Sequence, residues 1–67
     1  MEKILYYTEK ENAKIQMKTI SVYEIIENKP KKFFYIDTLI NKPSIESIQS
    51  YLDDNGFEDQ SFSFQLL

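Results

Sequence analysis

The chain's one glycine, Gly56, closes the stretch KPSIESIQSYLDDNGF over residues 42 to 57, and the state of that stretch decides the fold. Taken locally it is a helix: Ser44 can cap its start, Glu46 sits in the first turn, and Ile45, Ile48 and Leu52 make one apolar stripe. Asn55-Gly56 is then the stop. With Gly56 left-handed, Leu52 and Phe57 take the two positions whose side chains touch in a Schellman motif. Against a helix, Asp53 and Asp54 crowd the negative end of its dipole, at about 0.3 to 1 kcal/mol each. The competing state is a strand near residues 44 to 52, with DDNG as a hairpin turn in which Asn55-Gly56 supplies the positive φ angles. The two aspartates tilt the choice toward the strand.

Most of the remaining chain has strand character. KILYYT, residues 3 to 8, is β-branched and aromatic on both faces. A polar, turn-like EKENA follows. Ile15, Met17 and Thr19 then alternate against Lys14, Gln16 and Lys18, so residues 3 to 20 form a hairpin. The alternation slips near Thr19 and Ile20, after which Ile20 and Val22 lie on one side and Tyr23 and Ile25 on the other. A bulge or a change of element is the expected cause. Ser21 and Glu24 have capping-box spacing, but Pro30 follows too soon for a stable helix, so the strand is expected to continue.

KKFFYIDTL, residues 31 to 39, has the highest strand propensity in the chain. A helix also fits there, because Phe33, Ile36 and Ile40 share a helical face, with Pro30 able to sit in the first turn and Pro43 beyond the last. Lys31 and Lys32 would oppose the dipole of such a helix and Lys42 would favour it. The segment SFSFQLL alternates cleanly, with Phe62, Phe64 and Leu66 on one face and Ser61, Ser63 and Gln65 on the other, and is a final strand. The expected architecture is α+β: a small, mainly antiparallel sheet of about four strands packed by one helix, as a single compact domain over residues 1 to 67.

At 67 residues the core must be thin, since a domain of this size buries only about 60% of the surface its unfolded chain exposes. Five tyrosines, five phenylalanines and two methionines are more apolar bulk than such a core readily hides, so some rings are expected to face a partner. Cysteine and histidine are absent, which excludes disulfides, thiolate metal sites, cysteine nucleophiles and imidazole chemistry. Eight basic residues, all lysine, face eleven acidic ones. A net charge of −3 without arginine argues against nucleic-acid or anionic-membrane binding. No apolar run exceeds the four residues seen at 33 to 36, far short of a membrane helix, and MEKILYYTEK lacks the layout of a signal peptide, so a cytoplasmic protein is expected.

Three patterns suggest chemistry, and each has a plainer reading. If DDNG were a calcium loop with Gly56 at the sixth position, Tyr51 and Phe62 would occupy the first and twelfth, where carboxylates are needed. KPKKFFY pairs lysines with aromatics as single-strand nucleic-acid binders do, but lysines that guard an aggregation-prone segment explain it more simply. Asp53-Asp54 and Glu58-Asp59 are paired carboxylates with no cleft to oppose them across. There is no phosphate loop and no nucleophile context, so a noncatalytic chain without cofactor, metal or catalytic residues is expected.

EKILYYTEK, KTISVY at 18 to 23, NKPSIESI at 41 to 48 and QSFSFQLL stand in an order and spacing that resemble the small epsilon subunit of bacterial RNA polymerase from low-GC Gram-positive bacteria. NKPSIESI is similar to that family's proline-bearing loop leading into a strand, and QSFSFQLL to its closing strand. The chain departs from the family at Lys14-Ile15-Gln16-Met17, where a basic pair is usual, and in KPKKFFYIDTLINK, which is less charged than the family's helix. The resemblance implies a hairpin, a helix near residues 29 to 42 and two further strands, a fold similar to that of a phage-encoded polymerase inhibitor. It also implies a noncatalytic accessory subunit bound to the RNA polymerase core. The alternatives are a phage or mobile-element protein that inhibits a host or defence enzyme, such as RNA polymerase or a CRISPR-type nuclease, and a module that hides its aromatics in a homodimer.

Overall fold

The computed structural model describes residues 2 to 67. Three strands come first: β1 (Glu2–Asn12), β2 (Met17–Ile26) and β3 (Lys29–Leu39). The helix α1 (Ser44–Asp54) and a last strand, β4 (Ser61–Leu66), follow. The sheet order is β3-β2-β1-β4, with β2 antiparallel to both of its neighbours and β4 parallel to β1. Two antiparallel steps leave β3 running in the same direction as β4, so α1 is a crossover, and it lies on one face of the sheet. The expected α+β fold with a four-stranded, mainly antiparallel sheet and one helix is what forms.

Five side chains have no solvent exposure: Leu5, Ile20 and Val22 from the sheet, and Ile48 and Leu52 from the helix. Tyr7, Phe34, Ile36, Phe57, Phe62 and Phe64 pack around them. A bulge in β3 lies at the border of this core. Val22 stands opposite Phe34 but Tyr23 stands opposite Lys32, so Phe33 is the extra residue. The rings of Phe33 and Phe34 lie 5.1 Å apart; Phe34 stacks on Tyr51 at 4.2 Å, and Phe33 meets Phe57 edge-on at 5.9 Å. The bulge therefore brings two consecutive aromatics into contact with the helix and the segment after it, Phe34 at Tyr51 and Phe33 at Phe57, where strict alternation would bring one.

The helix lies over residues 44 to 54 and not near 29 to 42, which corrects the arrangement implied by the resemblance and favoured on the strength of Asp53 and Asp54. DDNG is accordingly a helix end and not a hairpin turn. Burying Ile48 and Leu52 is worth about 1.5 to 3 kcal/mol each. That outweighs about 0.3 to 1 kcal/mol of dipole cost for each exposed aspartate. The Gln49 side-chain amide also donates to Asp53 Oδ1 at 2.9 Å.

The stop forms as its residues dictate. Gly56 takes φ +88°, the Phe57 N–H donates to the Leu52 carbonyl at 3.0 Å, and Phe57 packs on the core that holds Leu52. The start differs from expectation: Pro43 holds the cap position in extended conformation, and Ser44 is buried one residue further in, with no side-chain capping bond.

The turns also differ from the sequence-based expectation. β1 runs through the polar EKEN to Asn12, and the turn falls at residues 13 to 16, where Gln16 is left-handed and its N–H reaches the Ala13 carbonyl at 3.3 Å. Ile15 consequently lies exposed in the turn and not in a strand. Glu27 and Asn28, both with positive φ, form the two-residue connection between β2 and β3, the geometry that matches strand twist.

No bulge or break occurs at Thr19 and Ile20. β2 alternates without interruption, and Lys18 takes the inward position ahead of Ile20 and Val22. It is only 6% exposed and pairs with Glu9 across the strands at 3.4 Å, so the apparent slip in the pattern is a charged residue on the covered face.

Candidate binding surface

The face of the sheet opposite α1 carries the other half of each strand. Alternation from the buried Leu5, Ile20 and Val22 assigns Ile4, Tyr6 and Thr8 of β1 to it, with Met17, Thr19, Ser21, Tyr23 and Ile25 of β2. Strand pairing then places Tyr6 directly opposite Tyr23, Ser21 opposite Tyr35, and Met17 opposite Leu39. Tyr6 and Tyr23 are half-buried by one another and their neighbours, whereas Tyr35 is 62% exposed. Ile4 and Ile25 are exposed on the same face.

Polar groups frame this apolar strip. The Lys32 ammonium lies 5.8 Å from the centre of the Tyr35 ring. Thr19 Oγ1 donates to Asp37 Oδ1 on the next strand. Ser61, Ser63 and Gln65 line the β4 side. The result is a row of three tyrosines across three strands, with Ile4 and Ile25 toward one end, Met17 and Leu39 toward the other, and separated charges around it. Aromatic side chains held on a rigid sheet, apolar in body and polar at the tip, are the composition of a protein-recognition surface.

The other features weighed in the sequence fall elsewhere. Lys29, Lys31 and Lys32 are exposed on the edge strand β3, while Phe34 is taken up in the core, so KPKKFFY is not a basic groove lined by free rings. Asp53 and Asp54 lie at the end of α1, and Glu58 and Asp59 in the connection to β4. No group of three or more residues suited to hold a metal ion occurs among the described residues. A shallow groove between β3 and α1 includes Asp37, Lys42, Glu46 and Asp54. It is open to solvent, and its hydroxyl pair, Ser47 and Thr38, meets at 3.4 Å.

No helix among the described residues is long and apolar enough to cross a membrane. No family model, curated protein or solved structure matches the chain.

The sequence shows the tyrosine row only in part. The opposition of Tyr23 and Ile25 to Ile20 and Val22 was a sequence-level signal for it. The placement of Tyr6 and Tyr35 in the same row depends on the strand registers, and the second of these is shifted by the bulge at Phe33.

Proposed function

We propose that this chain is a noncatalytic binding subunit that presents the uncovered, tyrosine-lined face of its sheet to a larger protein, with the core of bacterial RNA polymerase as the partner. The observation that carries the binding role is the row Tyr6, Tyr23 and Tyr35, set on paired strands and left uncovered by the one helix. A protein suits this face better than nucleic acid or membrane. Its contacts would be rings and aliphatic groups, and the net charge of −3 supplies no attraction to phosphate.

The choice of polymerase comes from the sequence resemblance and rests on three segments, not four. EKILYYTEK, KTISVY and QSFSFQLL remain strand segments, but NKPSIESI leads into a helix where the family's pattern leads into a strand. The competing role, inhibition of a host or defence enzyme, would use the same surface and differ in consequence.

The test is direct binding of the purified chain to purified core polymerase, alongside the Tyr23→Ser/Tyr35→Ser variant. Expected is saturable binding by the native chain and at least a tenfold loss in the variant. Absence of binding by the native chain removes polymerase as the partner, and equal binding by the variant removes the tyrosine face as the site. If equimolar chain halts transcription in vitro, the role is inhibition and not accessory support.

A further inference from the structure

The two edges of the sheet are built differently. β3 carries Lys29, Pro30, Lys31, Lys32 and Asp37, the charges and proline that blunt an edge against pairing. β4 carries none: residues 60 to 67 read QSFSFQLL, without charge, proline or glycine, and β1 is the only strand beside it. Leu66, at 62% exposure, lies on this side.

The backbone register says which groups are free. The Leu67 N–H donates to the Tyr7 carbonyl at 2.8 Å, one residue along from the Tyr7–Leu66 pairing. In a strand the N–H and C=O of one residue point to the same side and those of the next to the other. Leu67, Gln65, Ser63 and Ser61 therefore turn their peptide groups toward β1, and Phe62, Phe64 and Leu66 turn theirs outward. The same three residues put their side chains on the helix side of the sheet, where Phe62 and Phe64 already pack on the core.

We infer that β4 pairs antiparallel with β4 of a second copy of this chain, centred on Phe64, to form one continuous sheet across a two-fold axis. In that register Phe64 faces Phe64 of the partner copy, and Phe62 faces its Leu66. These are the residues with outward peptide groups, so the pairing exchanges about six hydrogen bonds and leaves no outward donor between Phe62 and Leu66 unused. A two-fold perpendicular to the sheet keeps both helices on one side. The apolar side chains of the two copies then meet on the helix side, while on the other face Ser61, Ser63 and Gln65 of both copies lie between the two tyrosine rows. No like charges oppose one another along the seam and no proline interrupts it, which separates this edge from β3, where Pro30 lacks an N–H and Lys29, Lys31 and Lys32 blunt the edge. A seam of this length is smaller than the roughly 1,200 to 2,000 Å² of a standard stable interface, so dissociation in the micromolar range is expected.

The test needs only the chain itself and so stands apart from the identity of any larger partner. Sedimentation velocity from about 5 to 500 μM should show the mass rise from 8.0 kDa toward twice that value. Leu66→Pro removes an outward N–H at an exposed position without touching a bond to β1, and should raise the dimer dissociation constant at least tenfold. Amide exchange on the native chain supplies the check if that variant misfolds. The N–H groups of Phe62, Phe64 and Leu66 should gain protection with concentration, while those of Ser63, Gln65 and Leu67 are protected throughout. A monomer at every concentration overturns the inference. So does a dimer in which those three amides stay unprotected and the protection or broadening falls on Tyr6, Tyr23 and Tyr35, which would place the contact on the open face.

Discussion

The two faces of this sheet are made from the same strands and from similarly apolar residues, yet they have opposite fates. Ile20 and Val22 are sealed under α1, whereas Ser21 and Tyr23, between and beside them, look outward with Tyr6 and Tyr35. The difference lies in cover, not composition: one eleven-residue helix can roof only one side. Stability should therefore reside in residues of one parity and recognition in residues of the other, and substitution of neighbouring residues should separate the two properties.

The largest expected effect lies under the roof. Leu52→Ala or Ile20→Ala should cost about 2 to 5 kcal/mol in urea unfolding. That is comparable to the whole stability of about 3 to 5 kcal/mol expected of a core this small, so these variants should be largely unfolded at 25 °C. A loss below about 1 kcal/mol would mean that the helix does not seal this face.

Gly56→Ala tests the join between roof and sheet. No atom lies within 4 Å of an added Cβ, so the cost is purely conformational, arising from φ +88°, and should be about 1 kcal/mol. A neutral result would show that the helix ends without the left-handed stop.

Lys18 is the exception on the covered face. Because Glu9 is partly exposed, the pair is screened, and Lys18→Met should be neutral or stabilising by up to about 1 kcal/mol. A larger loss would make the ion pair a structural requirement of the hairpin. The smallest expected effect is on the open face, where Tyr35→Ser should shift stability by no more than about 0.5 kcal/mol. A greater loss would mean that the open face contributes to folding, and the contrast between the faces would fail.

How far the sequence reveals these faces depends on the range of the forces involved. The stop at Asn55-Gly56-Phe57 and the alternation of Phe62, Phe64 and Leu66 are local and legible. So are the strand propensity of residues 31 to 39 and the apolar stripe of Ile48 and Leu52. The resemblance reverses these last two assignments, and the dipole cost of Asp53 and Asp54 favours the same reversal until the burial of Ile48 and Leu52, which outweighs it, is counted.

Other features depend on the assembled sheet. That β4 would lie parallel to β1 follows from the crossover path of the helix, not from any residue within β4. Lys18 disguises the covered face of β2, because a lysine buried beside Glu9 looks the same in sequence as a lysine in water. Both faces of β1 are apolar in residues 3 to 8, so nothing local distinguishes the roofed Leu5 and Tyr7 from the uncovered Ile4 and Tyr6. The tyrosine row is invisible for the same reason until the registers are known.

The most direct test is hydroxyl-radical footprinting of the native chain, free and bound to core RNA polymerase, with tyrosine and phenylalanine oxidation read residue by residue. The account predicts that Tyr35, the most exposed ring of the row, is protected on binding, with Tyr6 and Tyr23 following it, while Phe34 and Tyr51, stacked between sheet and helix, are unchanged. Protection confined to the helix side, with Tyr35 as reactive in the complex as in the free chain, would contradict it.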